Sequence, residues 1–201
     1  MREGKVAEVN SVICLSGGLD STVLAYDLLD QGHCLNTLTF HYGQSHRREM
    51  DAARGIADLL GVSNKTVDFE PVTGRGKSSL TGGEGSPVVA NRNATMLSLA
   101  VTYAAGVGAS QVYYCPTAED YDLFPDCRPQ FVSCYNRMLE VSECEIRVIA
   151  PYITLTKSEI VKIGRRLDVP FEKTWSCYVG GAEPCGKCLA CKTREEALAC
   201  S

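Results

Sequence analysis

Ser16-Gly17-Gly18-Leu19-Asp20-Ser21-Thr22 follows directly on the apolar run Val12-Ile13-Cys14-Leu15. A strand that runs into paired glycines and then a Ser/Asp helix start gathers backbone N–H groups and the positive end of a helix around one small volume. That volume suits an anion. Glycine admits close backbone approach and positive φ. The hydroxyls of Ser16, Ser21 and Thr22 can donate to phosphate oxygens, and Asp20 can cap the helix or face a metal. Pattern and strand-to-helix context together point to a phosphate-binding loop. Far downstream, Cys177, Cys185, Cys188 and Cys191 have the spacing C-x7-C-x2-C-x2-C, with Gly180, Gly181 and Gly186 supplying turns between them. Four thiols so placed suit a tetrahedral structural zinc ion; an iron–sulfur cluster is the rival, since four cysteines can ligate either.

These groups need elements to hold them. Residues 12–15 read as a strand covered on both faces, and 21–31 as a helix with Leu24 and Leu28 on one side. A second strand is expected over 35–40. A helix over 47–60 follows, with Met50, Ala53, Ala57 and Leu60 in one stripe and Gly61 at its end, and then a third strand over 65–69. Residues 71–87 are rich in Gly, Ser and Thr without apolar periodicity and read as a loop or lid. Gly76-Lys77-Ser78 within it is not a Walker loop, because Pro71 stands where the first glycine belongs. A buried helix over 91–106, a strand over 111–115, a helix over 129–140 and a strand over 146–150 come next. Thr156 and Glu159 then form a T-x-x-E capping box before Ile160, Ile163 and Leu167. Strands alternating with helices predict an α/β fold with a doubly wound, mostly parallel five-stranded sheet. Residues 1–170 are expected to form the nucleotide-binding domain, and 171–201 a zinc-binding segment packed on it.

Bulk composition narrows the partners. The 201 residues are 45% hydrophobic and 22% charged, with net charge −4, so no basic field advertises nucleic acid. No apolar stretch reaches the roughly 18 to 20 residues that span a bilayer. No export signal is visible at the start, so the eleven cysteines read as reduced thiols and metal ligands in a cytoplasmic protein rather than as disulfides. Lys157 opens a helix, where its charge opposes the dipole; with no local stabilising reason to be there, it reads as functional. Arg92 offers a planar two-point contact to phosphate or carboxylate.

Several segments occur in one order along the chain: the glycine loop, Tyr42-Gly43-Gln44 with His46, the run from Asn91-Arg92-Asn93 to Ala100, and Asp120-Tyr121 with Pro125-Asp126-Cys127-Arg128-Pro129. Leu155-Thr156-Lys157 follows, then Thr174-Trp175-Ser176-Cys177-Tyr178 with the three further cysteines. Taken together they resemble the QueC family, the 7-cyano-7-deazaguanine synthases, zinc-containing members of the PP-loop ATP pyrophosphatases. The loop alone indicates the superfamily; the Pro-Asp-Cys-Arg and Trp-Ser-Cys-Tyr segments are more specific.

The resemblance implies a sheet of the adenine nucleotide alpha hydrolase kind, ATP and Mg2+ as cofactors, and a structural Zn2+ on the four cysteines. It implies activation of 7-carboxy-7-deazaguanine by adenylation, displacement of AMP by ammonia, and a second adenylation that turns the amide into the nitrile. On this reading Leu15, Ser16, Gly17, Gly18, Leu19, Asp20, Ser21, Thr22, Val23 and Tyr42 bind ATP. Arg92, Asn93, Asp126, Arg128 and Lys157 bind substrate, while Asp20, Lys157 and Arg92 are catalytic. A homodimer is implied, with no stable nucleic-acid partner. Two alternatives stay open: a variant that stops at the amide or transfers the activated group to a protein amine, and a PP-loop tRNA-modifying enzyme.

Overall fold

Neighbouring residues of the first strand divide the apolar interior between them. Side chains alternate along a strand, so Val12 enters the core on one face of the sheet and Ile13 the core on the other. The fold is that of a computed structural model, described for residues 9–44, 47–69 and 88–200. The loop expected over 71–87 and the His46 position lie outside the described residues. Five strands form the sheet: β1 (Asn10–Cys14), β2 (Cys34–His41), β3 (Ser63–Asp68), β4 (Gln111–Tyr113) and β5 (Arg147–Ile149). Their order is β3-β2-β1-β4-β5, and every pairing is parallel. The expected doubly wound sheet is therefore present, with strand ends shifted by one to two residues.

Helices α1 (Leu19–Asp30), α2 (Arg48–Leu60), α5 (Lys157–Arg166) and α6 (Leu189–Ala199) contribute buried residues to the core on the Ile13 face. Helices α3 (Arg92–Gly106) and α4 (Pro129–Val141) contribute theirs to the Val12 face, through Leu97, Ala100, Ala104, Tyr135 and Leu139. Helix α6 is the element that the sequence reading did not separate from the cysteine tail. Cys188 is its N-cap residue and Cys191 lies in its first turn, so ligand spacing and helix start coincide there.

Chain order reverses beside β1: β2 and β3 lie to one side, β4 and β5 to the other. Connections therefore leave β1 and β4 towards opposite faces and open a crevice at the carboxyl ends of those strands. Helix α5 is brought close to α1 by Gly164. A Cβ there would stand 2.7 Å from Val23 Cγ2 and 2.6 Å from Phe171 Cζ. The capping box at the start of α5 is present as expected: the Thr156 side chain accepts from Glu159 N–H, and the Thr156 N–H donates to Glu159 Oε2 at 2.8 Å. That box fixes where α5 begins and so where Lys157 stands.

Gly164→Ala should separate α1 from α5. Alanine's better helix propensity offsets only part of the overpacking, leaving a net loss of about 1–2 kcal/mol, to be read as a lower urea midpoint with an unchanged slope.

Candidate nucleotide site and cysteine centre

Four residues turn β1 into α1, and their hydrogen bonds hold the turn open. Ser16 N–H donates to Ser21 Oγ at 3.2 Å, the two hydroxyls lie 2.9 Å apart, and Gly18 N–H donates to Ser16 Oγ at 3.2 Å. Gly17 has φ +78°, and a Cβ on it would stand 2.4 Å from the Glu49 carbonyl oxygen and 2.5 Å from Ala53 N. Only glycine fits where the loop lies against α2. From the other side, Trp175 N–H donates to the Gly17 carbonyl at 2.8 Å. The Arg48 guanidinium sits 5.6 Å from the centre of the Trp175 ring.

A cleft of about 290 Å³ opens at this loop, lined by Leu15, Ser16, Asp20 and Ser21 together with Tyr42, Arg92 and Asn93. Those sequence-predicted residues therefore share one cavity. The other loop residues support it instead. Leu19 and Val23 are in the apolar core. Thr22 is fully buried and its hydroxyl donates to the Gly18 carbonyl at 2.8 Å, so the expected phosphate contact from Thr22 is replaced by a bond inside the helix. Gly17 and Gly18 shape the backbone and do not line the cavity.

Lys157 reaches the cleft through Asp20, 137 residues away in sequence: its Nζ donates to Asp20 Oδ2 at 2.7 Å. Burial pushes the Asp20 carboxyl up despite Lys157, with Asp120 and Glu119 adding to the rise. Burial works against the Lys157 ammonium, yet Asp20, Asp120 and Glu119 overcome it and hold that group above the ordinary lysine range. One cation thus serves several carboxylates, and Asp20 Oδ1 is buried with no hydrogen-bond partner among the described residues. Arg92, the first residue of α3, stands with its Cζ 5.3 Å from the centre of the Tyr42 ring. Its Nε is likewise buried and has no hydrogen-bond partner among the described residues. Two unused polar atoms, one acceptor and one donor, thus accompany a cavity beside a glycine loop.

Asp126 and Arg128 do not line the cleft. The turn Pro125–Cys127 directs Cys127 inward, while Arg128 is exposed with its Nε donating to the Tyr121 carbonyl at 2.9 Å. The Asp126 carbonyl accepts from the Tyr114 hydroxyl at 3.3 Å. Residues that the sequence reading passed over take the inward places: Cys14, Cys115 and Cys127, the last accepting from Asn93 Nδ2 at 3.7 Å, and also Tyr114, Glu49 and Tyr178. Burial pushes the Cys14 and Cys127 thiols up to about 12, so both are neutral.

The four tail sulfurs lie within 4.8 Å of one another, and Cys185 and Cys191 are 4.0 Å apart. Four thiolates at about 2.3 Å around one tetrahedral ion stand about 3.8 Å from each other, so this quartet fits a single metal ion. Backbone N–H groups of Lys187 and Cys188 donate to the Cys185 sulfur and lower its thiol to about 6, which favours the thiolate that a metal requires. Tyr178, next to Cys177, enters the cleft, and Trp175 Nε1 donates to the Cys177 carbonyl at 2.9 Å. Arg194 of α6 ties the segment down through Thr174 Oγ1 at 2.5 Å and the Phe171 carbonyl at 2.6 Å.

A parallel sheet with a glycine loop at its order reversal, facing a cleft, defines a phosphate-loop α/β protein. The chain belongs to the QueC family: residues 10–201 match the family described as Queuosine biosynthesis protein QueC. It is 38% identical to the 7-cyano-7-deazaguanine synthase of Archaeoglobus fulgidus, over 94% of this chain and 86% of that one. Identity to the protein of the same name from Methanoregula boonei is 39%, over 94% of each chain. Among solved structures it is similar to the U34-tRNA thiolase NcsA from Methanococcus maripaludis, determined with its 4Fe-4S cluster. The TM-score is 0.59 and identity 16%, with 94% of this chain and 64% of that one covered. NMN synthetase from Francisella tularensis gives a TM-score of 0.57 at 16% identity, covering 90% and 71%. These two likenesses speak for the fold alone. Among the described residues no helix is long and apolar enough to cross a membrane.

Two outcomes follow from the site. Cys188→Ser should lose bound metal, measured by elemental analysis, and lower the melting temperature by about 10 °C or more, because site occupancy is folding free energy. The second concerns Glu49, whose carboxyl burial pushes from 4.5 up to about 7, with Arg92 opposing. A carboxyl with a raised folded-state pKa binds more protons when folded, so its contribution to stability is full below about 4.5 and falls as pH rises towards 7. Glu49→Gln should therefore be more stable than wild type at pH 8 by on the order of 1 kcal/mol, with the gap closing towards pH 4.5 in urea titrations at both pH values.

Proposed function

We propose that this protein uses ATP to convert 7-carboxy-7-deazaguanine and ammonia into 7-cyano-7-deazaguanine, through an adenylated acid and an amide. The observation that carries the reading is one cleft in which the glycine loop, the unpartnered Arg92 Nε and the Asp20–Lys157 pair converge. Membership of the QueC family supplies the substrate class.

Each adenylation needs pyrophosphate as a stabilised leaving group. The hydroxyls of Ser16 and Ser21, which line the cleft at the glycine loop, hold the outer phosphates, where charge develops as the α–β bond breaks. Lys157 stays protonated beside Asp20 and supplies a fixed positive charge to the pentavalent phosphorus. Arg92 binds the substrate carboxylate or a phosphate, with Asn93 beside it. Magnesium, entering with ATP, would meet Asp20 Oδ1 and share the triphosphate charge. Asp126 and Arg128 bind substrate from the turn next to the cleft. The metal held by Cys177, Cys185, Cys188 and Cys191 is zinc, and its role is structural. The compact sulfur quartet supports a single ion, because a cluster places several irons and sulfides between its ligands. The protein acts as a homodimer in the cytoplasm.

Purified protein with ATP, magnesium, ammonia and 7-carboxy-7-deazaguanine should release AMP and pyrophosphate and yield the nitrile by mass spectrometry. Absence of substrate-dependent AMP would overturn the proposal. Amide accumulating alone, or a protein adduct, would select the variant activity in its place.

A further inference from the structure

Three carboxylates line the cleft, and two are held through one oxygen each: Asp20 Oδ2 by Lys157, and Asp120 Oδ2 by the N–H and hydroxyl of Thr117 at 2.9 Å each. The third is Glu49. Among the described residues its carboxylate makes no hydrogen bond and no ion pair, although it stands in the first turn of α2 with its own backbone carbonyl against Gly17 of the phosphate loop. Three groups face it from three other elements: the Arg92 guanidinium from α3, the Tyr42 phenol from the end of β2 and the Tyr178 phenol from the cysteine tail.

We propose that Glu49 is the proton acceptor of this cleft. It takes the protons shed by nitrogen as ammonia adds to the activated carboxyl and as the resulting amide is dehydrated. This role rests on the nitrile-forming reading above.

The reaction releases protons from nitrogen at defined points. When the ammonia lone pair forms the C–N bond, the nitrogen carries a positive charge; loss of one N–H proton to Glu49 leaves a neutral amine, and the C–O bond to AMP breaks with AMP taking the electron pair. In the second half the amide oxygen bonds to the α-phosphorus of ATP and pyrophosphate departs, with one N–H proton lost. The C–O bond then breaks, AMP leaves with its electron pair, and the last N–H proton goes as the nitrile forms. Each proton passes from the Glu49 carboxyl to solvent before the next step.

The other cleft groups are unsuited to this work. Lys157 is held protonated by Asp20, and the Tyr42, Cys14 and Cys127 side chains are acids pushed up to about 12, which are neutral and poor acceptors near neutrality. Glu49, at about 7, exchanges protons readily in that range. Arg92 adds a further control. An anion bound to Arg92 neutralises the cation that faces Glu49, so substrate or phosphate binding raises the proton affinity of the acceptor just when it is needed.

The test compares wild type, Glu49→Gln and Glu49→Asp in the assay for AMP, amide and nitrile, alongside substrate-dependent ATP–pyrophosphate exchange, between pH 5.5 and pH 9. Glu49→Gln should lose roughly 100-fold in the rate of amide formation, with a much smaller loss in exchange, and should lack the rise in kcat/KM that wild type shows through about pH 7. Glu49→Asp should recover part of the rate and show that rise at an altered pH. Wild-type amide formation and an unchanged pH profile in Glu49→Gln would overturn the role, as would equal losses in exchange and amide formation. A wild-type protein that releases no substrate-dependent AMP overturns the nitrile reading itself, and the role of Glu49 with it. A higher melting temperature for Glu49→Gln at pH 8 shows that lost activity is not lost folding.

Discussion

Connections that leave β1 and β4 towards opposite faces cannot also cover the carboxyl ends of those strands, and the gap they leave is the constraint on which this structure depends. The candidate site is arranged around that gap. The glycine loop closes it from β1, Tyr42 comes from the end of β2, Tyr114 and Cys115 from the end of β4, and Arg92 from the start of α3. Each is positioned by a strand end or a helix start rather than by a long loop. The charges there are thereby held on rigid supports, and the partly buried Asp20–Lys157 pair joins two helices that contribute Val23, Leu24, Ile160 and Val161 to one core.

Electrostatics in the cleft is unbalanced in a directed way. Lys157 opens α5 and Arg92 opens α3, and both oppose the helix dipole at those ends. Neither position is explained by helix stability. Asp20, Asp120 and Glu119 compensate Lys157, and Glu49 faces Arg92 without an ion pair. Among the described residues Arg92 Nε is thus left as an unsatisfied donor beside the cleft, while the carboxylates nearby offset the charge of both cations. The cysteine segment belongs to the same arrangement, since Tyr178 and Trp175 carry it into the cleft and onto the loop.

Features with local causes were legible in the sequence. The run Val12–Leu15 before two glycines declares a buried strand and a tight turn, and Thr156 with Glu159 declares a helix start, because strand burial and capping act over a few residues. The four cysteines are legible for the same reason, as is the alternation of strands and helices that gives the sheet. What depends on distant contacts was not. Nothing near Asp20 points to Lys157, and the parallel sheet brings them together only after four more strands have been laid down. Cys14, Cys115 and Cys127 give no sign of their place in the sequence, since a small apolar side chain looks alike whether it faces a core or a cavity. Glu49 looked like an ordinary charged residue in the first turn of a helix, where acidic groups are common. Thr22 was assigned to phosphate by residue type, yet its position in α1 turns its hydroxyl onto the Gly18 carbonyl.

The hydrogen bond from Trp175 N–H to the Gly17 carbonyl has a consequence in time as well as in space. During synthesis the glycine loop leaves the ribosome before the residue that braces it, which emerges about 160 positions later, followed by the cysteines of that residue's segment. The nascent chain thus carries an unbraced loop until Trp175 has emerged. The loop gains its brace in one late event, when the segment that carries the four cysteines folds back onto the turn between β1 and α1.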